Sequence, residues 1–247
     1  MINLEHKEDN LVEIYEALNT WAISDIVKRI MKNDVITEIA KYRIYRIQEA
    51  GTHLIEIKKK IKLITGKSNK EIDRIFKESG IEDIKFSNRI ILKNKNVFVS
   101  DLMRDILNLN LISTKNDFEN FGERIVNSSY NTLISSMDKV HYSVISGMRS
   151  QSEVIKEVIN DIGTSGLKIK NINGRNESIE SYVRRTIHTG VNKCVGEMNY
   201  QRAVENEFSY VLVSAHMGAR HIENPNPKYL SHDLWQGKVF KLNKVHS

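Results

Sequence analysis

The sequence has few residues that cross-link or interrupt a chain. It contains a single cysteine, Cys194, which excludes an intrachain disulfide and a zinc ribbon. That cysteine lies within a helical pattern, and we interpret it as a small packing residue rather than a nucleophile. The two prolines, Pro225 and Pro227, lie in one short segment, so no proline breaks the helical patterns before them.

Long apolar runs are also missing from the sequence. No segment approaches the roughly 20 consecutive apolar residues that a membrane-spanning helix needs. The first residues are charged and lack the apolar stretch of a signal peptide. These absences predict a protein that is made and folded in a cytoplasm and has no membrane partner. Hydrophobic residues make up 40% and charged residues 28% of the chain, which is ordinary for a globular protein with a sizeable core.

The positive charge is modest and concentrated in one place. The net charge is +6, and acidic residues are interleaved with basic ones except between Lys58 and Lys70, where no Asp or Glu occurs. Lys58, Lys59, Lys60 and Lys62 are therefore candidates for phosphate contact, and a weak interaction with DNA stays open. The alternative is an ordinary solvated end of a helix.

Apolar residues at steps of three and four predict helices over most of the chain. From Leu11 onwards one such stripe continues to Ile30. Residues 86–99 follow neither period, and we interpret them as irregular or as a small hairpin. The predicted helices are 11–32, 35–50, 54–64, 69–79, 100–109, 118–144, 151–163 and 178–206.

Capping signals divide these helices. A Ser followed three residues later by a Glu predicts a capping box, as at Ser68 with Glu71 and at Ser150 with Glu153. Ser100 is also predicted to cap the helix that follows it. Glycines at 51, 66 and 80 predict helix ends. The sequence Gly66-Lys67-Ser68 lacks the earlier glycine and the preceding strand of a phosphate-binding loop, so capping is the preferred interpretation.

The pattern changes in the last third. Residues 167–172 alternate as a strand does, and Asn173-Gly174 predicts a tight turn. Further strands are predicted at 210–214 and 238–242. The predicted fold class is therefore α+β and predominantly helical, with an extended helical amino-terminal region followed by a small α/β module. We divide the chain into a helical arm (1–112), a long helix with a helical connector (113–165) and the α/β module (166–247).

Three blocks of residues in the last third resemble the phage minor capsid proteins, the portal-associated head proteins of tailed phages and prophages. The segment 63–68 with Glu71-Ile72 is also similar to that family, so the resemblance spans most of the chain. A departure is the segment 222–230, which is inserted relative to the family's short link. The motif residues are Arg184, Arg185, Thr189, Gly190 and Asn192, then Ser214, His216, Gly218 and Arg220, then His232, Trp235, Gln236 and Gly237.

The resemblance implies a minor structural protein of a phage or prophage head. It implies the portal protein, the major capsid protein or both as partners during head assembly or DNA packaging. It also implies a location in the virion after synthesis in the bacterial host cytoplasm, with no catalysis and no cofactor. One alternative is a nucleic-acid-binding head or ejection protein. Another is an enzymatic carboxyl-terminal module similar to the ADP-ribosyltransferases.

Histidines, arginines and a tryptophan of the last third are candidates either for a metal site or for structural roles. His216, His221, His232 and Asp233 could converge on a metal ion, but their spacings match no compact ligand motif, so no metal site is predicted. The arginines at 184, 185 and 220 are interpreted as anchors that fix the turn after Ser214, because a guanidinium holds several carboxylates or carbonyls at once. Contact with phosphate or DNA is the alternative. Trp235 is predicted to pack the last strand onto the helix at 183–203.

Small polar residues in the middle of the helix at 118–144 form a further pattern. They occur at 127–129 and at 135–136. Small side chains let another helix approach closely, so this seam predicts close helix packing within the chain or with a neighbouring protein.

Overall fold

The computed structural model describes residues 6–32, 36–87, 99–167, 169–170, 174–213 and 236–242, and the side chains of residues 86 and 87 are not described. Within these ranges the chain forms five helices and two small antiparallel sheets, so the predominantly helical α+β class is confirmed. The helices are α1 (Asp9–Met31), α2 (Ile39–Ser87), α3 (Asp101–Ile145), α4 (Gln151–Ser165) and α5 (Ile179–Glu205); the strands are β1 (Ile169–Lys170), β2 (Asn176–Glu177), β3 (Tyr210–Leu212) and β4 (Val239–Lys241).

Helix α2 corrects the prediction of three separate helices at 35–50, 54–64 and 69–79. It is one helix of 49 residues, and Gly51, Gly66 and Gly80 all lie inside it. A glycine costs a helix only about 1 kcal/mol, which long packing against α1 and α3 outweighs. Ser68 does not cap a helix; its hydroxyl donates to the Thr65 carbonyl at 3.1 Å within the continuous helix. The segment predicted as irregular begins inside α2, and residues 88–98 lie outside the described residues.

Helix α3 likewise joins the helices predicted at 100–109 and 118–144. Ser100 caps its start as predicted, accepting a hydrogen bond from the Met103 amide at 3.2 Å. The polar stretch between the two predicted helices stays helical because its buried side chains find partners. Asn110, for example, donates to the Ile106 carbonyl at 3.0 Å and to the Glu197 carboxylate at 2.6 Å.

The carboxyl-terminal elements follow the sequence prediction closely. The capping box of Ser150 and Glu153 is present at the start of α4, and Ser178 caps α5. Strands β1 and β2 pair antiparallel, and Gly174 between them has a φ of 75°. Strands β3 and β4 form the second sheet, with Val211 opposite Phe240. The strands are shorter than predicted.

The core lies where α1, α3 and α5 meet. The aromatic rings of Phe121 and Tyr182 stack with centroids 3.8 Å apart, and Tyr15 lies 5.5 Å from both Phe118 and Phe121. These rings come from three helices and bury almost all of their surface. Helix α5 thus packs on the same core as the amino-terminal helices. The division of the chain at residues 112 and 165 stays a prediction.

The helices expose both apolar and charged side chains. In the ranges that the structure describes, no helix is both long and apolar enough to cross a lipid bilayer.

Candidate functional site on helix α5

The motif residues of the sequence fall into three groups in the structure. Five lie on α5 (Arg184, Arg185, Thr189, Gly190 and Asn192), and two form the turn before β4 (Gln236 and Gly237). The remaining six, Ser214, His216, Gly218, Arg220, His232 and Trp235, lie outside the described residues.

Arg184 links α5 to the start of α1 through ion pairs. Its guanidinium contacts the carboxylates of Glu8 at 2.8 Å, Asp9 at 2.9 Å and Glu180 at 2.9 Å. Glu8 is almost fully buried and also contacts His188 Nε2 at 3.0 Å. Burial alone would raise the pKa of the Glu8 carboxyl, but hydrogen bonds from His188 and Arg184 outweigh it and hold that pKa below its usual value. Arg184 thus holds three carboxylates of α5 and the start of α1, whereas the predicted anchoring of the turn after Ser214 falls outside the described residues and stays a prediction.

Arg185 links the first small sheet, β1 and β2, to the same helix through an ion pair. Its Nε and Nη2 atoms each donate to the Glu177 carboxylate of β2 at 2.9 Å, a two-pronged contact. The guanidinium also lies over the Tyr182 ring, 5.2 Å from its centroid. Two adjacent arginines of the motif thus hold the start of α1 and strand β2 against α5.

Gly190 marks the closest approach of α5 to its neighbours. A Cβ atom at this position would lie 2.3 Å from Thr114 Oγ1 of α3 and 3.1 Å from Phe76 Cζ of α2. Both distances are shorter than van der Waals contact, so only glycine fits without movement of buried side chains. The glycine of the motif therefore permits a three-helix contact, which sequence reasoning did not foresee.

Two motif side chains face outward instead. Thr189 and Asn192 are exposed, and together with Arg185 and Gly196 they follow steps of four, three and four residues. That spacing places all four on one side of α5, and we call these residues the α5 outer face. A Cβ atom at Gly196 would meet nothing within 4 Å. Among the described residues, Thr189 and Asn192 are left exposed to solvent, so this face is a candidate contact surface for another protein.

The second sheet brings two motif blocks together. The Gly237 amide donates to the Val213 carbonyl at 2.9 Å, and the Val213 amide donates to the Lys238 carbonyl at 3.0 Å. Val213, the residue before the Ser214 block, therefore lies beside the end of the Trp235 block. Gly237 has a φ of 66°, a left-handed conformation that glycine adopts without strain.

The predicted phosphate-contact residues lie on α2. Lys58, Lys59 and Lys62 are exposed and form no ion pair among the described residues. Lys60 lies over the Trp21 ring, with its Nζ 5.4 Å from the centroid. Three of the four lysines are therefore free to contact an external anion.

The described part of the chain offers no group of three His, Cys, Asp or Glu side chains that could hold a metal ion. The residues considered for a metal or an enzymatic site, His216, His221, Arg220, His232 and Asp233, lie outside it, so those predictions stay untested.

A buried polar network connects α1, α2 and α3, and sequence reasoning missed it. His53 contacts the Asp25 carboxylate through Nδ1 at 2.6 Å and the Ser129 hydroxyl through Nε2 at 2.7 Å. Carboxylate, imidazole and hydroxyl follow the order of a nucleophilic triad, but His53 and Ser129 are fully buried and no substrate can reach them. The network is structural. It also accounts for one small residue of the seam, because the Ser129 hydroxyl contacts His53 in it. The signal in the sequence was a His and a Ser on apolar helix faces.

Comparison with known proteins identifies the family. The sequence profile described as phage minor capsid protein 2 matches residues 2–247, which is nearly the whole chain. No curated protein and no solved structure is significantly similar to the chain. The match includes all three motif blocks and the helical region before them. The chain therefore belongs to the phage minor capsid protein 2 family, with a structural role in the phage and a place in the virion.

Proposed function

We propose that this chain joins the phage head by binding the portal protein, the major capsid protein or both during head assembly or DNA packaging. The observation that carries the proposal is the α5 outer face. Its motif side chains Thr189 and Asn192 point away from the core, while their neighbours Arg184 and Gly190 are used inside the fold. A motif that contains both packed and outward residues suits a helix held rigidly for contact with a partner. No catalytic step and no cofactor are part of this proposal.

The first prediction concerns incorporation into particles. We expect tagged protein to co-purify with phage heads, and the double change Thr189→Arg with Asn192→Arg to lower incorporation about tenfold or more, as loss of a central interface contact does. Assembly in phage mutants that lack portal or major capsid protein identifies the partner. Asn160→Arg on the exposed side of α4 is the matched control. Absence of the protein from particles and from assembly intermediates contradicts the proposal.

Contact with DNA is a second candidate function, suggested by the free lysines of α2. We expect only weak binding to duplex DNA at physiological salt. With three free lysines, a plot of log K against log salt should slope no more steeply than about −3. Changing Lys58, Lys59, Lys60 and Lys62 to Glu should flatten the slope further, which fluorescence anisotropy over a salt series measures. A tight, salt-sensitive complex that the four changes abolish would instead favour a nucleic-acid-binding protein.

A further inference from the structure

Within the described ranges, helix α2 presents an exposed surface that is apolar at one end and basic at the other. Ile44, Ile47 and Ile55 are between 57% and 68% exposed, and Gly51 lies between them with nothing within 4 Å of its Cβ position. One turn further along are the exposed Lys58 and Lys62. Steps of three and four residues put this set on one side of the helix, which we call the α2 face. Exposed apolar residues in a row beside open glycines indicate a docking surface.

Helix α3 presents the complementary surface. Leu109 and Ile112 are 67% and 56% exposed, and Glu119 and Glu123 follow on the same side of the helix. Asp105 is also exposed on that side. Among the described residues, neither Glu119 nor Glu123 forms an ion pair. We call this set the α3 face; after Asp105 it is apolar at Leu109 and Ile112 and acidic at Glu119 and Glu123.

The two faces match in spacing as well as in chemistry. From Gly51 the α2 face continues with steps of four, three and four to residues 55, 58 and 62. From Ile112 the α3 face continues with the same steps to residues 116, 119 and 123. Parallel helices in this register place Ile112 on Gly51. The same register places Glu119 beside Lys58 and Glu123 beside Lys62. An antiparallel arrangement about the same Gly51–Ile112 contact would instead place Lys58 beside Asp105 and Lys62 beside Asp101, which already pairs with Arg104 at 3.0 Å, and it would leave Glu119 and Glu123 without a lysine.

We propose that the α2 face of one copy binds the α3 face of a second copy, as parallel helices in this register. The two faces belong to one chain but cannot meet within it in this way, because α2 and α3 pack antiparallel. Gly122 of α3, for example, lies against Ile61 of α2, while Lys115 pairs with Asp73 further along α2 at 2.7 Å. Each copy then keeps one face of each kind free. Such a heterologous contact builds a ring when the rotation closes and a helical chain when it does not.

Other occupants fit the α2 face less well. A DNA strand would use the lysines but would leave the three isoleucines exposed to water. A lipid surface suits apolar residues flanked by lysines along the whole helix, whereas here the two kinds follow one another along the axis. Only a helix with an apolar stretch followed by an acidic one matches both parts, and the chain carries that helix itself.

Charge exchange tests the proposal with purified, nuclease-treated full-length protein. Lys58→Glu with Lys62→Glu should weaken self-association about tenfold or more in sedimentation velocity, because attraction becomes repulsion at both pairs. Glu119→Lys with Glu123→Lys should do the same. A mixture of the two variants should associate again, since the altered α2 face of the first then matches the altered α3 face of the second. Circular dichroism confirms that each variant is folded.

Engineered cysteines test the register itself. Native Cys194 is buried, so it does not interfere. Gly51→Cys mixed with Ile112→Cys should form a disulfide-linked dimer under mild oxidation. Gly163→Cys on α4, which has open space around it, mixed with Ile112→Cys is the control and should not. A wild-type protein that stays monomeric up to its solubility limit overturns the proposal. So does a variant mixture no more associated than its components, or a control that cross-links as well. These measurements need no portal or capsid protein, so their failure leaves the proposed role in head assembly standing.

Discussion

Gly190→Ala is expected to lower the free energy of unfolding by about 1–3 kcal/mol, the usual cost of overfilling a packed core. The new Cβ atom would lie 2.3 Å from Thr114 Oγ1 and 3.1 Å from Phe76 Cζ, and both side chains are buried. These side chains must shift within the contact of α5 with α2 and α3 to admit the new Cβ atom. A larger side chain such as Leu at the same position should prevent folding of the native core.

Gly196 of the same helix is the matched control. It is exposed, and a Cβ atom there meets nothing within 4 Å, so Gly196→Ala should stabilise the protein by up to about 1 kcal/mol through helix propensity alone. Urea unfolding followed by circular dichroism measures both variants. Equal effects at the two positions would show that the close helix contact is not the reason for the glycine. That result would remove the structural account of this motif residue.

Arg29→Met should cost about 3–5 kcal/mol, because it leaves carboxylates without their partner in a partly buried place. Arg29 contacts Asp25 at 2.7 Å, Glu49 at 2.6 Å and Glu56 at 2.7 Å, and its own side chain is only 10% exposed. The same network continues from Asp25 to His53 and joins α1 to α2 and α3. Arg29→Lys should recover little, since one ammonium group cannot reach three carboxylates in this geometry.

Arg74 is the control for this prediction. It also contacts two carboxylates, those of Glu71 and Glu78, but its side chain is 40% exposed. Water screens the pairs of Arg74 more than those of Arg29, so Arg74→Met should cost clearly less than Arg29→Met, although Glu71 is itself only 12% exposed and the bond to the Lys7 carbonyl is also lost. Chemical denaturation of both variants measures the difference. A loss of similar size at the two positions would mean that burial does not govern the strength of the Arg29 network.

The Arg29 network also predicts a pH dependence. Burial alone would raise the pKa of the Asp25 carboxyl, but hydrogen bonds from Arg29 and His53 outweigh it and lower that pKa. A carboxyl whose pKa is lower in the folded than in the unfolded protein stabilises the folded state at pH values above its unfolded pKa, about 3.9. This contribution is lost as the pH falls through the pKa that the carboxyl has in the folded protein. The stability difference between wild type and Arg29→Met should therefore shrink from neutral pH to about pH 3.

The α5 motif combines two kinds of residue that the sequence could not separate. Arg184 and Gly190 serve the fold, one by holding Glu8 and the other by admitting α3 and α2. In the part of the chain that the structure describes, Thr189 and Asn192 face outward and are exposed. The motif sequence alone does not show which of these four residues serve the fold and which face outward. Their different roles follow from the side of α5 on which each of them lies.

Local signals in the sequence determined much of the fold. The apolar stripe from Leu11 predicted the buried side of α1, and serines at 100, 150 and 178 predicted the starts of three helices. These signals act within one or two helical turns, where a side chain satisfies a nearby backbone amide. The motif blocks likewise identified the family before any geometry was known.

Tertiary packing decided the rest. Gly51 and Gly66 predicted helix ends, yet α2 continues through both, because a local penalty of about 1 kcal/mol each is small beside the packing of a 49-residue helix. Two features join residues that are distant in sequence: the buried network from Arg29 to Ser129 and the tight contact at Gly190. No local sequence pattern predicted either of them. Local capping signals marked the starts of α3 and α4 but not the predicted start at Ser68, which lies inside α2. Helix length and the positions that need a glycine or a buried charge depend on which other helices lie beside them.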